Sequence, residues 1–229
     1  MSAINDSPDA ALRVLIIDDH SLLVEALRLS LGTAIATNGA VTPLVEIHVA
    51  PCLDLAAVLD QARLEQPDIV LVDLDLGEGR AGVDLIAPLT SAGHRVLLFT
   101  GSTSTRELGA GLQAGATGIV RKTDPFDRLV GGISDAARGQ NTMRPAEREA
   151  IIEEFQRSRA VETARDARTE SLTPRERAVL DQLASGATPN QIAATTFVSI
   201  ATVRSHIKSI LRKLGVSSQL AAVAVGRGD

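Results

Sequence analysis

The chain has 229 residues and a formal net charge of −5, with 45% apolar and 22% charged side chains, a globular composition with enough chain for one large core or two modest ones. Aromatics are 2%, four Phe with no Trp or Tyr, which excludes a ring-stacking platform for single-stranded nucleic acid. One cysteine, Cys52, excludes an internal disulfide framework and a Cys-rich zinc site.

From residue 12 a short apolar run and a helix-length amphipathic stretch alternate five times. The runs are Leu12–Ile17, Leu44–Val49, Ile69–Val72, Arg95–Thr100 and Gly118–Arg121. Helices are predicted near 20–31, 53–65, 82–92, 104–114 and 126–138. Runs without polar alternation suit strands buried on both faces. Their alternation with helices predicts right-handed βαβ units and a five-stranded, doubly wound parallel sheet over residues 1–140. Residues 141–170 are rich in Arg, Glu and Ala and read as a helical or flexible linker, with a helix near 145–160. Thr173-Pro174-Arg175-Glu176 is a capping box with Pro at the first helical position. Helices follow near 174–184, 188–195, 199–213 and 217–225, so residues 171–229 read as a small all-helical domain.

Charge is unevenly spread. Residues 1–140 carry 10 basic and 18 acidic side chains, 141–170 carry 6 and 7, and 171–229 carry 7 and 3. An acidic body with a basic tail suggests nucleic-acid contact by one end. The uncharged stretches near 29–45 and 182–203 contain Asn, Pro, Gly and hydroxyls, so neither reads as a membrane span. No basic-then-apolar leader precedes the first strand, and a cytoplasmic protein is expected.

The first strand ends in Asp18-Asp19, and the third in Asp73 with Asp75 two residues on. In a doubly wound sheet, ligands sit beyond the carboxyl ends of the strands where the winding reverses. If the first and third strands are neighbours, Asp18, Asp19 and Asp73 converge there, and clustered carboxylates call for a hard cation such as Mg²⁺. Thr100 ends the fourth strand and Lys122 follows the fifth, at the same sheet edge. Such a set suits an Asp73 nucleophile attacking phosphorus, with Mg²⁺, Lys122 and Thr100 taking the phosphoryl oxygens. His20 reads more simply as the start of a helix.

Residues 12–138 resemble the receiver domain of two-component response regulators, a flavodoxin-like fold. The resemblance lies in Val14-Leu15-Ile16-Ile17-Asp18-Asp19-His20, Pro67-Asp68-Ile69-Val70-Leu71-Val72-Asp73, Phe99-Thr100-Gly101 and Gly115-Ala116-Thr117-Gly118-Ile119-Val120-Arg121-Lys122. It implies Mg²⁺-dependent phosphorylation of Asp73 by a partner sensor histidine kinase. Asp18, Asp19, Asp73 and the main-chain carbonyl of Asp75 would hold the metal, and Thr100 would move toward the phosphoryl group. The chain departs from the family twice. The loop Leu76-Gly77-Glu78-Gly79-Arg80-Ala81-Gly82 lacks the family's Met-Pro-Gly, and the switch position three before the Lys holds Ile119 instead of Tyr or Phe.

Other readings of the same residues stay open. Gly77 to Gly82 fits G-x-G-x-x-G, but it follows the third strand, its neighbours Asp73 and Asp75 would repel a pyrophosphate, and no acidic residue lies about 20 positions on. Asp73-Leu74-Asp75 also resembles the motif of haloacid-dehalogenase-type phosphatases, which makes an aspartyl-phosphate phosphohydrolase the enzyme alternative. An atypical receiver governed by a partner or ligand without phosphorylation is the other.

In the predicted helix 199–213, Ile200, Val203, Ile207, Ile210 and Leu214 share one face, while Arg204, Lys208 and Arg212 recur every four residues on the other, with Ala201 and Ser205 beside them. A short turn joins it to the preceding helix. A second helix with a basic stripe and small neighbours suits a major-groove reader. Leu172-Thr173-Pro174-Arg175-Glu176, Asn190-Gln191-Ile192-Ala193, Thr202-Val203-Arg204-Ser205-His206-Ile207 and Leu211-Arg212-Lys213-Leu214-Gly215-Val216 are similar to the LuxR-type helix-turn-helix of NarL/FixJ-class regulators. That resemblance implies that Arg204, Ser205 and Lys208 face double-stranded DNA, and that the last helix, with Leu220 and Val223, forms the seam of a homodimer. The combined expectation is a transcriptional response regulator, not an enzyme and not a membrane protein.

Overall fold

The structure, a computed structural model, describes residues 12–37, 46–49, 54–77 and 81–227. Leu44 and Val45 of the second apolar run, Cys52, and Glu78, Gly79 and Arg80 of the loop lie outside the described residues. The chain divides into two units, Met1–Gln156 and Arg157–Asp229.

In the first unit the strands β1 (Arg13–Ile17), β2 (Glu46–Val49), β3 (Ile69–Val72), β4 (Val96–Thr100) and β5 (Gly118–Arg121) alternate with α1 (Ser21–Thr37), α2 (Leu55–Glu65), α3 (Val83–Ser91), α4 (Thr105–Gln113) and α5 (Phe126–Ala137). The sheet order is β2-β1-β3-β4-β5, and every pairing is parallel. The predicted five-stranded doubly wound sheet is thus observed. The helix α1 runs past its expected end near 31 and through Gly32, whose cost in a helix is only about 1 kcal/mol.

Alternation along the strands separates two apolar layers. Leu15, Ile17, Val70, Val72, Val96 and Leu98 point to the α2, α3 and α4 side, meeting Val58, Ile86, Leu89 and Leu112. Val14, Ile16, Ile69, Leu71, Leu97 and Phe99 point to the α1 and α5 side, meeting Val24, Leu27, Leu129 and Ile133. Since both faces are covered, the strands need no polar alternation, which is why they read as plain apolar runs. The winding direction changes between β1 and β3, where Ile17 pairs with Val72.

The linker region differs from expectation. The helix α6 (Pro145–Glu170) runs for 26 residues instead of stopping near 160. It contains no Gly and has its only Pro at the first position, and Ala, Arg, Glu and Gln fill most of it. Its start is fastened to the first unit: Arg148 donates to the carbonyls of Leu112, Ala116 and Thr117, and Phe155 is buried against Gly109 of α4. The guanidinium thereby adds a charged donor to the Leu112 carbonyl in the last turn of α4, which also accepts from the Gly115 amide, and to the Ala116 and Thr117 carbonyls of the connection to β5.

The second unit holds α7 (Pro174–Ala184), α8 (Pro189–Thr196), α9 (Ile200–Leu214) and α10 (Gln219–Arg227), packed around Leu180, Ile192, Val203, Ile210, Leu214 and Ala222. The capping box at Thr173 and Glu176 forms as predicted, and a second one forms at Thr188 and Gln191. Arg165 of α6 donates to the carbonyls of Ala224 and Val225. Glu176 is also one half of a buried ion pair, with Lys213 Nζ at 2.6 Å. Burial alone would raise the Glu176 pKa, but hydrogen bonds from Lys213, Ser209 and Thr173 outweigh it and hold it down at about 2.

A carboxylate lowered in the folded state stabilises fully above its ordinary value near 4.5 and loses that contribution as pH falls toward 2. Glu176→Gln is expected to lower the opening free energy of the α7 and α9 amides by about 2–4 kcal/mol near neutral pH, read by hydrogen exchange corrected for intrinsic rates. The unmodified chain should lose much of that increment between about pH 5 and pH 2, while the variant should show a flatter dependence.

Candidate functional site

The parallel sheet delivers its acidic residues to one edge. Asp18 and Asp73 each directly follow a paired strand residue, and the Asp73 amide donates to the Ile17 carbonyl at 2.9 Å. The two side chains are buried, and Asp19 stands partly exposed beside them. From β5, Lys122 reaches across, with Nζ 2.8 Å from Asp18 Oδ2 and 2.6 Å from Asp73 Oδ2. Burial pulls the Lys122 pKa down, but the two carboxylates outweigh it and hold the ammonium above its ordinary value. The Lys122 amide also donates to the Thr100 carbonyl at 3.0 Å, which ties β5 to β4 at this edge.

Thr100 is fully buried at the end of β4. Its Oγ1 accepts from the Ser102 amide at 3.1 Å, so its own proton remains able to donate. A cleft of about 660 Å³ opens over these residues, lined among others by His20, Asp73, Asp75, Thr100, Glu107 and Lys122.

The donor set suits a small hard cation. One ligand atom each of Asp18, Asp19, His20 and Asp73 lies within 4.8 Å of the others. Asp18 Oδ2 is buried and accepts no well-aligned hydrogen bond, so only the Lys122 charge satisfies it. Carboxylate oxygens with one such open acceptor fit Mg²⁺ better than a softer metal. The side chain of Asp75 lies outside this cluster; its Oδ1 accepts from the Gly77 amide at 3.2 Å, and its amide faces Asp73 Oδ1 at 3.4 Å.

Two glycines let the loop approach the pocket. Gly77 has a left-handed φ of +66°, and a Cβ there would stand 2.6 Å from Asp19 Oδ2. A Cβ on Gly82 would stand 1.8 Å from the Asp73 carbonyl oxygen, because the Gly82 amide donates to the Leu74 carbonyl. Two glycines of the apparent dinucleotide fingerprint are therefore required by close packing, Gly77 against the Asp19 carboxylate and Gly82 against the Asp73 backbone.

Ser102 and Glu107 were not singled out from sequence as site residues, and His20 was read only as the start of a helix. The His20 ring Nδ1 lies 3.1 Å from Asp18 Oδ1 and 2.9 Å from Asp19 Oδ1, while its carbonyl starts α1 by accepting from Val24. Ser102 Oγ donates to Glu107 Oε2, and Arg121 donates to the Ser102 carbonyl at 2.9 Å. The S-x-x-E spacing of Ser104 and Glu107 marks a helix start, but Ser104 caps α4 while Glu107 turns to Ser102. Ile119 is half-buried and packs toward the α2, α3 and α4 layer.

In the second unit Arg204, Ser205, Lys208 and Arg212 are all exposed on one face of α9, opposite buried Val203, Ile207, Ile210 and Leu214. Ile200, expected on the apolar stripe, is 41% exposed, because it is the first helical residue and the core begins one turn later. The expected seam residues are divided: Leu220 is 81% exposed, whereas Val223 packs partly against its own unit's core. Among the described residues no helix is long and apolar enough to cross a membrane.

Comparison with known proteins follows this division. The family described as response regulator receiver domain matches residues 14–134, and the bacterial regulatory proteins of the luxR family match residues 170–225. The chain is 31% identical to the nitrate/nitrite response regulator protein homolog of Haemophilus influenzae over 93% of its own length and 95% of that protein's. It is 32% identical to the nitrate/nitrite response regulator protein NarP of Escherichia coli, over 92% of each. Among solved structures it is similar to the response regulator RcsB of Salmonella typhimurium, at 21% identity and a TM-score of 0.49, covering 97% of this chain and 100% of that one.

Gly82→Ala is expected to cost roughly 1–3 kcal/mol through overpacking against Asp73. Gly131→Ala in α5 meets nothing within 4 Å and is expected to be neutral or to stabilise by up to about 1 kcal/mol. Thermal melting of the two variants beside the parent chain distinguishes a loop glycine needed for contact from a helix glycine that is not.

Proposed function

We propose that this chain, which belongs to the response regulators that join a receiver domain to a LuxR-family helix-turn-helix domain, is a transcriptional regulator switched by Mg²⁺-dependent phosphorylation of Asp73 from a partner sensor histidine kinase. The observation that carries this reading is the Asp73 carboxylate itself, buried at the switch point of the sheet, 2.6 Å from Lys122 and beside Asp18, Asp19 and Thr100. Residues 1–140 act as the receiver, 141–170 as the linker and 171–229 as the DNA-binding domain.

One Asp73 oxygen attacks the phosphorus of the donor; the donor's bond to phosphorus breaks, and its electron pair leaves with the departing group. Asp18, Asp19, Asp73 and the Asp75 carbonyl would hold Mg²⁺, which would supply positive charge to the phosphoryl oxygens and so lower the cost of bringing an anion to an acidic pocket. The Lys122 ammonium, already in contact with Asp73, supplies a further positive charge to the new phosphoryl group. The Thr100 hydroxyl donates its available proton to another of its oxygens. Ile119 at the switch position has no ring to turn, so the change is passed on through Ser102, which Thr100, Arg121 and Glu107 all contact.

The exposed face of α9 lies in the major groove of double-stranded DNA, with Arg204, Ser205, Lys208 and Arg212 toward bases and phosphates. A homodimer, joined through α10 about Leu220, places two such helices on half-sites about one helical turn apart. The protein acts in the cytoplasm and turns over no substrate.

Incubation with Mg²⁺ and acetyl phosphate, followed by intact-mass measurement, is expected to show one phosphoryl adduct, absent without Mg²⁺ and absent in Asp73→Asn. No adduct despite independently measured Mg²⁺ binding would favour a receiver regulated by a partner or ligand instead. In salt titrations of DNA binding, Lys208→Ala is expected to weaken binding on every sequence and reduce the salt slope by about 1 if it meets phosphate, or to relax one base position if it reads a base. Loss of neither would remove Lys208 from the interface.

A further inference from the structure

Three apolar side chains stand in water at the tip of the helix-turn-helix motif. Phe197 is 95% exposed, and Val198 and Ile200 are each 41% exposed. Phe197 ends α8 in a left-handed conformation, φ 54° and ψ 38°, which Gly and Asn adopt at lower cost than a bulky residue. The β-carbon strains the backbone here, and the exposed ring contributes almost nothing to the core of its unit. An exposed ring at a disfavoured backbone position points to a contact outside the chain.

The surroundings favour one occupant. Ile200 opens α9, and Arg204, Ser205, Lys208 and Arg212 continue along the exposed face of the same helix. No acidic residue lies between Ser199 and Leu214. The centre of a protein-docking patch is depleted in charge, whereas this patch merges into a cationic stripe. The N-terminal residues of a groove-reading helix are those that meet base edges. On those edges the one apolar group is the 5-methyl of thymine.

We propose that Phe197 and Ile200 read thymine methyl groups in duplex DNA, at base pairs adjoining those met by Arg204 and Lys208. The inference rests on α9 being the DNA-reading helix. It assigns to the apolar tip a preference for thymine that the basic stripe, whose donors suit guanine and phosphate, does not supply.

The test uses duplexes enriched from a randomised pool by the full-length chain. Each thymine is then replaced in turn by deoxyuridine, which removes only the methyl group. The parent chain is expected to lose about fourfold in affinity at one or more positions, the worth of burying one methyl-sized group. Phe197→Asn and Ile200→Gln are expected to bind thymine and deoxyuridine duplexes alike at those positions. Asn suits the left-handed turn, so Phe197→Asn is expected to melt no lower than the parent; Phe197→Gly repeats the test on a second permissive residue. Equal binding of both duplexes by the parent chain at every position would overturn the proposal. So would variants that keep the parent's sensitivity, and the tip would then serve a protein partner or a second copy. Failure of the parent chain to bind any duplex at low salt would instead overturn the assignment of α9, and the proposal with it.

Discussion

One ammonium group joins the strand ends on which this sheet edge depends. Lys122 Nζ touches carboxylates that follow β1 and β3, and its backbone holds β4. The pairing of Ile17 with Val72 forces Asp18 and Asp73 into proximity, since each is the next residue along its strand. Two buried carboxylates at that distance repel, and a flexible cation from a third strand offsets the repulsion. A buried charge pair of this kind is weak evidence of stability, because apolar residues of similar volume often serve a fold as well. Its presence at a cleft, with Asp18 Oδ2 held by charge alone, is what supports the proposal that this sheet edge is the functional site.

From the cleft, polar contacts lead outward. Thr100 holds the Ser102 amide, Arg121 holds the Ser102 carbonyl, and the Ser102 hydroxyl is bound to Glu107 in the first turn of α4. The far end of α4 is held in turn by Arg148, at the start of α6. With Ile119 in place of an aromatic side chain, the cleft is connected to α4 by hydrogen bonds about one serine. Gly77 stands against the Asp19 carboxylate and Gly82 against the Asp73 backbone, so close packing accounts for these two glycines of the pattern.

The second unit is made of short helices, and short helices need strong ends. Two capping boxes, the Glu176–Lys213 pair and the grip of Arg165 on the last carbonyls of α10 supply them. These contacts lie behind α9 or at its end, and they leave its basic face and apolar tip clear of the core. Stability and surface chemistry are thereby carried by different residues of one helix.

The sequence by itself determined the order and type of the elements, because apolar runs with period and breaks suited to strands and helices are local properties of a chain. It also determined the acidic set, since Asp18, Asp19 and Asp73 each terminate a readable strand, and the basic face of α9, since helical spacing sorts it from the buried face. Tertiary structure decided what local pattern cannot carry. Whether Lys122 meets Asp73 depends on strands far apart in sequence; whether His20 turns back onto two carboxylates, and whether Glu107 caps its own helix or binds Ser102, depends on which rotamer is adopted between partners at most five residues apart. The carbonyls that Arg148 and Arg165 of α6 find were decided by tertiary structure too, whereas the length of that helix follows from its run of helix formers without Gly. The exposure of Phe197 and Ile200 and the division between Leu220 and Val223 were also decided there. An apolar residue near a helix end is buried only when a neighbouring element reaches it, and that reach is a fact of packing.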